Sequence, residues 1–199
     1  MHNTKIFNLS LHRSATESFS RLMTDHGFRA THWPGFTFDR SCRQAVEQLD
    51  TSMVFQLALD VIKANQVFAD VPYCFLYREL FLTYPDALYL IILRPVGAWI
   101  KSVRRHIGGR ELDNLEKLQY GLYNAIYDRI FDYTDSQLEN VYAHHLDTVV
   151  NLAQIRGVSL RLFWLDPSSL EQTKLVTELS EYLGFRARTP FPIMNVSQH

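Results

Sequence analysis

The sequence predicts an α/β fold, in which a central and mostly parallel sheet lies between two helical layers in a three-layer α/β/α sandwich. Two observations support this prediction. Four short apolar runs show no alternation of apolar and polar residues, which is typical of parallel strands that are buried on both faces. Helical patterns separate these runs, and a parallel sheet needs such crossover connections between its strands.

The predicted strands and helices alternate along the chain in an order that suits this architecture. We expect strands at residues 6–9, 66–69, 88–93 and 160–165. We expect helices at residues 16–26, 73–83, 96–105 and 170–183, the last of which ends at the sequence YLG. Residues 111–147 are polar and aromatic, and they predict one or two long helices that cover the sheet. His144 and His145 are expected on this cover without a functional role.

Length and composition predict a single globular domain over residues 1–199. The chain is 47% hydrophobic and 21% charged, so it has enough apolar side chains to bury a core. The 20 Lys and Arg residues and 21 Asp and Glu residues give a net charge of -1. Because no global field attracts polyanions, neither nucleic acid nor a membrane is expected as a partner, and anion binding must be local.

The N-terminus and the cysteine content favour a cytoplasmic protein. The start, MHNTKIFNLS, lacks the apolar core of a signal peptide, and no apolar run reaches the roughly 18 residues of a membrane-spanning helix. Cys42 and Cys74 are the two cysteines of the chain, and we expect no disulfide between them.

Residues 5–23, KIFNLSLHRSATESFSRLM, have the layout of a phosphate-binding loop, because a short strand, a hydroxyl-rich turn and an amphipathic helix follow one another. The Walker A pattern of ATPases, G-x-x-x-x-G-K-[ST], fails at each defined position, where Ser10, Ala15, Thr16 and Glu17 stand. What remains is a helix N-terminus whose N–H groups can bind an anion, with the cation Arg13 inside the loop.

A second cationic site is expected where strand 88–93 ends. The stretch RPVGAWIKSVRRHIGGR, residues 94–110, contains five Arg or Lys residues and no acid. Ligands of open α/β sheets bind at the carboxyl ends of the strands, and Arg13 also follows such an end. Two cationic strand ends in one sheet suggest a ligand with two anionic groups. Trp99, within this stretch, is expected in the core or at the edge of the ligand.

Four stretches of the sequence resemble the motifs of one family. SLHRSATESFSRLM is similar to a 5′-phosphosulfate loop, G-x-[PH]-[KR]-[ST]-G-T-[ST], at Arg13, Ser14 and Thr16. LYLIILRPVGAWIKS has the Arg of a second signature, Arg94, and its Ser eight residues later, Ser102. ADVPYCFLYRELFLTYPDALYLIILR and TPFPIMN resemble a D-x-P…Y-x-E-L…Y-P-x-A…R block and a P-F-P-x-x-N tail. Together the four resemble the P-loop sulfotransferases, and in particular a bacterial branch of them.

The resemblance implies a P-loop NTPase-like sulfotransferase fold and a metal-free enzyme. Its donor would be 3′-phosphoadenosine 5′-phosphosulfate (PAPS), its product adenosine 3′,5′-bisphosphate (PAP), and its acceptor a hydroxyl or amine of a small molecule or glycan. Arg94 and Ser102 would hold the 3′-phosphate, while Arg13 would stabilise the charge that grows on the leaving 5′-phosphate. The implied cofactor-binding residues of the loop are His12, Arg13, Ser14, Ala15, Thr16, Glu17 and Ser18.

A general base is expected to receive the proton of the acceptor. Asp70 is the first candidate, because the resemblance places its Asp-x-Pro sequence where other branches of the family carry a catalytic histidine after the same strand. The alternative is that Asp70 is the N-cap of the next helix. His32, in ATHWPG, is the second candidate, although a single histidine is more often structural.

Several of the candidate site residues can also be interpreted as structural or surface residues. Arg13 could be a surface arginine, Arg94 could pair with an acid, and Ser102 could be a solvated helix residue. Ala15 carries a Cβ that opposes a positive φ, and Glu17 would repel a bound dianion. The sequence is therefore also compatible with a catalytically impaired nucleotide-binding or regulatory relative, and thirdly with a P-loop kinase or NTPase.

Overall fold

The sheet at the centre of the fold has five parallel strands among the residues that the structure describes. The structure is a computed structural model, and it describes residues 4–34, 36, 39–165 and 172–192. The strands are β1 (Ile6–Asn8), β2 (Ala30–Thr31), β3 (Val67–Ala69), β4 (Leu88–Leu93) and β5 (Leu160–Trp164). They lie in the order β2-β3-β1-β4-β5, and each neighbouring pair is parallel. The predicted α/β class with a mostly parallel sheet is confirmed.

Helices connect the strands and cover both faces of the sheet. They are α1 (Thr16–Asp25), α2 (Arg40–Gln48), α3 (Thr51–Ala64), α4 (Tyr77–Thr83), α5 (Val96–Ile107), α6 (Asn114–Gly121), α7 (Asp135–Arg156) and α8 (Thr173–Leu183), with a short 3-10 helix at Ile130–Asp132. None of the helices in the described ranges is both long enough and apolar enough to cross a membrane.

Four predicted strands coincide with β1, β3, β4 and β5 to within about a residue at each end. The helix expected at 73–83 begins at Tyr77 instead, because residues 71–75 form turns around Pro72, which cannot donate a helical hydrogen bond. The cover at 111–147 consists of the short α6 and of α7, which continues to Arg156. The helix expected at 170–183 begins at Thr173. Residues 170–171 of this predicted helix and residues 193–195 of the TPFPIMN stretch lie outside the described residues.

The two faces of the sheet carry separate apolar layers. Phe7 of β1 packs with Phe68 and Tyr89 on one face, with ring centroids 4.7 and 5.4 Å away, beneath α3, α4 and α7. Ile6 of the same strand faces the other side, where α1 and α8 cover it. Because both faces are buried and the strands are parallel, the polar groups that follow the strands lie together at the carboxyl edge of the sheet.

Candidate active site at the carboxyl edge of the sheet

The loop between β1 and α1 has the backbone of an anion-binding turn. Arg13 and Ala15 have φ values of 65° and 61°, in the left-handed region that residues with a Cβ rarely adopt. Ala15, which stands where the family pattern has Gly, thus adopts a positive φ despite its Cβ. Ala15 is also the N-cap of α1, and no side chain caps this helix. A helix N-terminus of this kind can bind an anion through its first N–H groups.

Three contacts, from β4, from Arg94 directly after it and from α5, hold the loop in this shape. The Ser10 hydroxyl accepts the backbone N–H of Ile92 at 2.7 Å. The Trp99 indole donates to the carbonyl of His12 at 2.8 Å, and Nη1 of Arg94 donates to the carbonyl of Arg13 at 2.7 Å. The two stretches that resemble the first and second family signatures therefore contact each other through Arg13 and Arg94, which are 81 positions apart.

Arg13 and Arg94 bring two partly buried cations to this edge. Burial lowers the pKa of each guanidinium, and the charge of Arg13 lowers the pKa of Arg94 further. Nε of Arg13 and Nε of Arg94 are both buried without a hydrogen-bond partner. Neighbouring like charges with unpaired N–H groups are stabilised by a bound anion, so the pair forms a candidate anion site.

Asp70 and His32 form a second cluster beside the loop. Asp70 is 5% exposed and has a φ of 73°. Its Oδ2 accepts the Thr16 hydroxyl at 2.8 Å and lies 2.8 Å from Nε2 of His32, while its Oδ1 accepts the N–H of Val71 at 2.7 Å. Burial alone would raise the pKa of Asp70, but the hydrogen bond and charge of His32, followed by the charge of His12, hold it below its usual value. Asp70 is therefore ionised at neutral pH.

The alternative that Asp70 caps a helix is wrong. The helix that follows, α4, begins at Tyr77 and has Leu76 as its N-cap. The Asp70 carboxylate instead joins α1, through Thr16, to the segment after β2, through His32. Asp70 thus belongs to the candidate site and does not cap α4.

The remaining predicted site residues surround the loop. His12 is buried, its Nε2 contacts the Tyr120 hydroxyl, and burial lowers its pKa. Ser14 and Ser18 are buried, and Ser102 is half-buried on α5. Glu17 is half-buried in the first turn of α1, and its charge, after that of Asp70, raises the pKa of Arg13 against the effect of burial.

Sequence reasoning missed three side chains that support the site. Tyr142 accepts the N–H of Arg94 at 3.1 Å and donates to its carbonyl at 3.0 Å. His145 contacts the Leu9 carbonyl, at the start of the loop, with its Nε2 at 2.8 Å. Tyr120 contacts His12. All three come from the α6 and α7 cover, whose aromatic composition was the available signal, but no sequence spacing relates them to the loop.

A comparison with known protein families gives a match over nearly the whole chain. The model of the sulfotransferase domain matches residues 5–199. The chain belongs to the sulfotransferase family. The crystal structure of a sulfotransferase from Alicyclobacillus acidocaldarius is similar to it at a TM-score of 0.59 and 13% identity, over 100% of this chain and 87% of that one, which shows a shared fold. No curated protein matches the chain. Family membership supports sulfuryl transfer as the general activity of this sulfotransferase.

Proposed function

We propose that this sulfotransferase moves a sulfuryl group from PAPS to a hydroxyl or amine of a small molecule or glycan. The observation that carries the proposal is the pair of guanidinium groups at Arg13 and Arg94, whose Nε atoms are buried without partners at the carboxyl edge of the sheet. A ligand with an anionic group at each end of a nucleoside would satisfy both.

The residues present fit such a donor, which supplies the sulfuryl group when bound. Arg13 and the first N–H groups of α1 would hold the 5′-phosphosulfate and stabilise the negative charge that develops on the leaving phosphate. Arg94 and Ser102, which follow the end of β4, would hold the 3′-phosphate. The 3′-phosphate would then distinguish this donor from ATP.

The contacts favour His32 as the proton acceptor and Asp70 as the residue that orients it. Both oxygens of Asp70 already accept hydrogen bonds, and its lowered pKa makes it a weak base. Nε2 of His32 faces Asp70, which leaves Nδ1 as the acceptor of a substrate proton. The His32 side chain is also 29% exposed, compared with 7% for that of Asp70. The reverse assignment, Asp70 as base, is the competing hypothesis.

The experiment is a screen of acceptor classes at saturating PAPS, read by release of PAP. With the best acceptor, His32→Ala is expected to lose on the order of 10²–10⁴-fold in turnover while it still binds PAP, and added imidazole is expected to restore part of the rate. Asp70→Asn is expected to lose rate without rescue by imidazole. A wild-type rate in His32→Ala together with a large loss in Asp70→Asn would instead assign the base to Asp70.

Binding of PAP without transfer to any acceptor class would contradict the proposed activity. That outcome would favour the impaired nucleotide-binding relative. Tight binding of ATP with magnesium and weak binding of PAP would favour a P-loop kinase or NTPase.

A further inference from the structure

Arg94 connects the two ends of the donor site. We propose that Arg94 is a positioning residue for the phosphosulfate loop, in addition to a ligand of the 3′-phosphate, so that occupancy of the 3′ end is coupled to the position of Arg13. The inference rests on the proposed function, because it assigns the two ends of PAPS to these two arginines.

The Arg94 side chain contacts the Arg13 backbone. Nη1 of Arg94 donates to the Arg13 carbonyl at 2.7 Å, and Arg13 has a φ of 65°. A residue with a Cβ disfavours this left-handed conformation. A hydrogen bond from a charged donor to the carbonyl of that same residue therefore stabilises a loop shape that the local sequence opposes.

Arg94 is itself held in place by Tyr142. The Tyr142 hydroxyl accepts the backbone N–H of Arg94 at 3.1 Å and donates to its backbone carbonyl at 3.0 Å. The carbonyl before that of Arg13, on His12, accepts the Trp99 indole at 2.8 Å. Two successive loop carbonyls are thus fixed by donors from the end of β4 and from α5.

The Arg94 side chain has N–H donors that the contact with Arg13 does not use. A guanidinium carries five N–H donors, and the contact with Arg13 uses one of them. Nε of Arg94 is buried and has no partner, so it can donate to the 3′-phosphate while Nη1 keeps the Arg13 carbonyl. A 3′-phosphate would immobilise the guanidinium and, through it, the loop. A nucleotide without a 3′-phosphate would leave the loop with a weaker support.

Hydrogen exchange of the protein without nucleotide tests the contact directly. The amide of Ser14, which donates to the Leu11 carbonyl at 3.2 Å, reports on the loop. In Arg94→Ala we expect exchange in residues 10–18 to accelerate on the order of tenfold, with α7 unchanged as the measure of global stability. Ser102→Ala, the matched control at the 3′ end, is expected to exchange like the wild type. If Arg94→Ala does not fold, Arg94→Lys, which keeps a cation, replaces it with the same expected direction.

Calorimetry with two nucleotides separates positioning from simple 3′-phosphate binding. Arg94→Ala is expected to weaken both PAP and 5′-AMP, the latter on the order of tenfold, whereas Ser102→Ala weakens PAP alone. Wild-type exchange in the loop and an unchanged affinity of Arg94→Ala for 5′-AMP would overturn the proposal. Failure of the wild type to bind PAP would overturn the proposed function instead, and the exchange experiment, which needs no nucleotide, would still decide the role of the contact.

Discussion

Arg13 carries the charge on which the proposed transfer step depends. Arg13→Ala is expected to lower turnover on the order of 10²–10³-fold, since a donor to the leaving group is lost. The free energy of unfolding should stay nearly unchanged, because alanine and arginine both carry a Cβ and so both oppose the left-handed φ of this position to a similar degree. Arg21→Ala, which removes an exposed arginine of α1 paired with Asp25 at 2.9 Å, is the control and should affect neither. Turnover and chemical denaturation of both variants are the measurements. A lower free energy of unfolding at an unchanged rate would show that Arg13 is structural.

A substitution at Ala15 tests the free-energy cost of the left-handed loop conformation. Because its φ is 61°, Ala15→Gly is expected to raise the free energy of unfolding by about 1 kcal/mol and to keep or strengthen PAP binding. Ala143→Gly, at an exposed position in the middle of α7, should instead destabilise the protein by about 1 kcal/mol. Urea denaturation measures both values. Destabilisation of the same size in the two variants would mean that the left-handed φ of Ala15 carries no cost.

His145 makes folding stability depend on pH. Burial lowers its pKa to about 4 from a usual value of 6.5, so the unfolded chain binds the proton first and acid weakens the fold between these two values. From pH 7 to pH 5 the wild type should lose roughly 2 kcal/mol more than His145→Gln. His144→Gln, at the exposed neighbouring position, should keep the wild-type slope. Equal slopes in all three proteins would contradict the burial of a neutral His145.

β4 and α5 support the loop between β1 and α1. Ser10 stands where the family pattern has its first Gly, and its hydroxyl extends the pairing of β1 with β4 beyond Asn8 by accepting the N–H of Ile92 at 2.7 Å. Ser10→Ala would leave this buried N–H unpaired, so we expect it to cost about 1–3 kcal/mol in chemical denaturation. Ser52→Ala, which removes an exposed hydroxyl at the start of α3, is the comparison. A Ser10→Ala protein as stable as Ser52→Ala would show that the hydroxyl does not support the sheet.

The elements differ in how far the sequence could predict them. β4 was predicted with its observed bounds because a short continuous apolar run with β-branched residues is typical of a buried parallel strand. β2 has two residues and no such run. α3 was missed although Asp50 caps it and Val54, Ala58 and Ile62 are buried at a spacing of four, which is a helical signal. α2 was missed because its sequence, RSCRQAVEQ, buries few apolar side chains.

For the whole molecule, the fold could be predicted further than the site. The loop layout and the resemblance to the family motifs indicated Arg13, Thr16 and Arg94, and the rule for strand ends placed Arg13 and Arg94 at one edge of the sheet. The bond of Thr16 to Asp70 joins residues 54 positions apart, and that of His145 to the Leu9 carbonyl joins residues 136 apart. A single sequence shows no pattern that relates residues so far apart. The oxygen or nitrogen that would face the acceptor can therefore be identified only in the folded structure.

We propose that the carboxyl edge of the sheet binds a nucleotide by both of its phosphate ends. The measurement is calorimetric titration of the wild type with PAP, 5′-AMP and ATP with magnesium, with PAP repeated in EDTA. PAP is expected to bind at least about tenfold more tightly than 5′-AMP, because Arg94 donates a charge-assisted hydrogen bond to the 3′-phosphate, and EDTA is expected to leave the affinity unchanged. Equal affinities for PAP and 5′-AMP, or a preference for ATP with magnesium, would contradict binding by both phosphate ends.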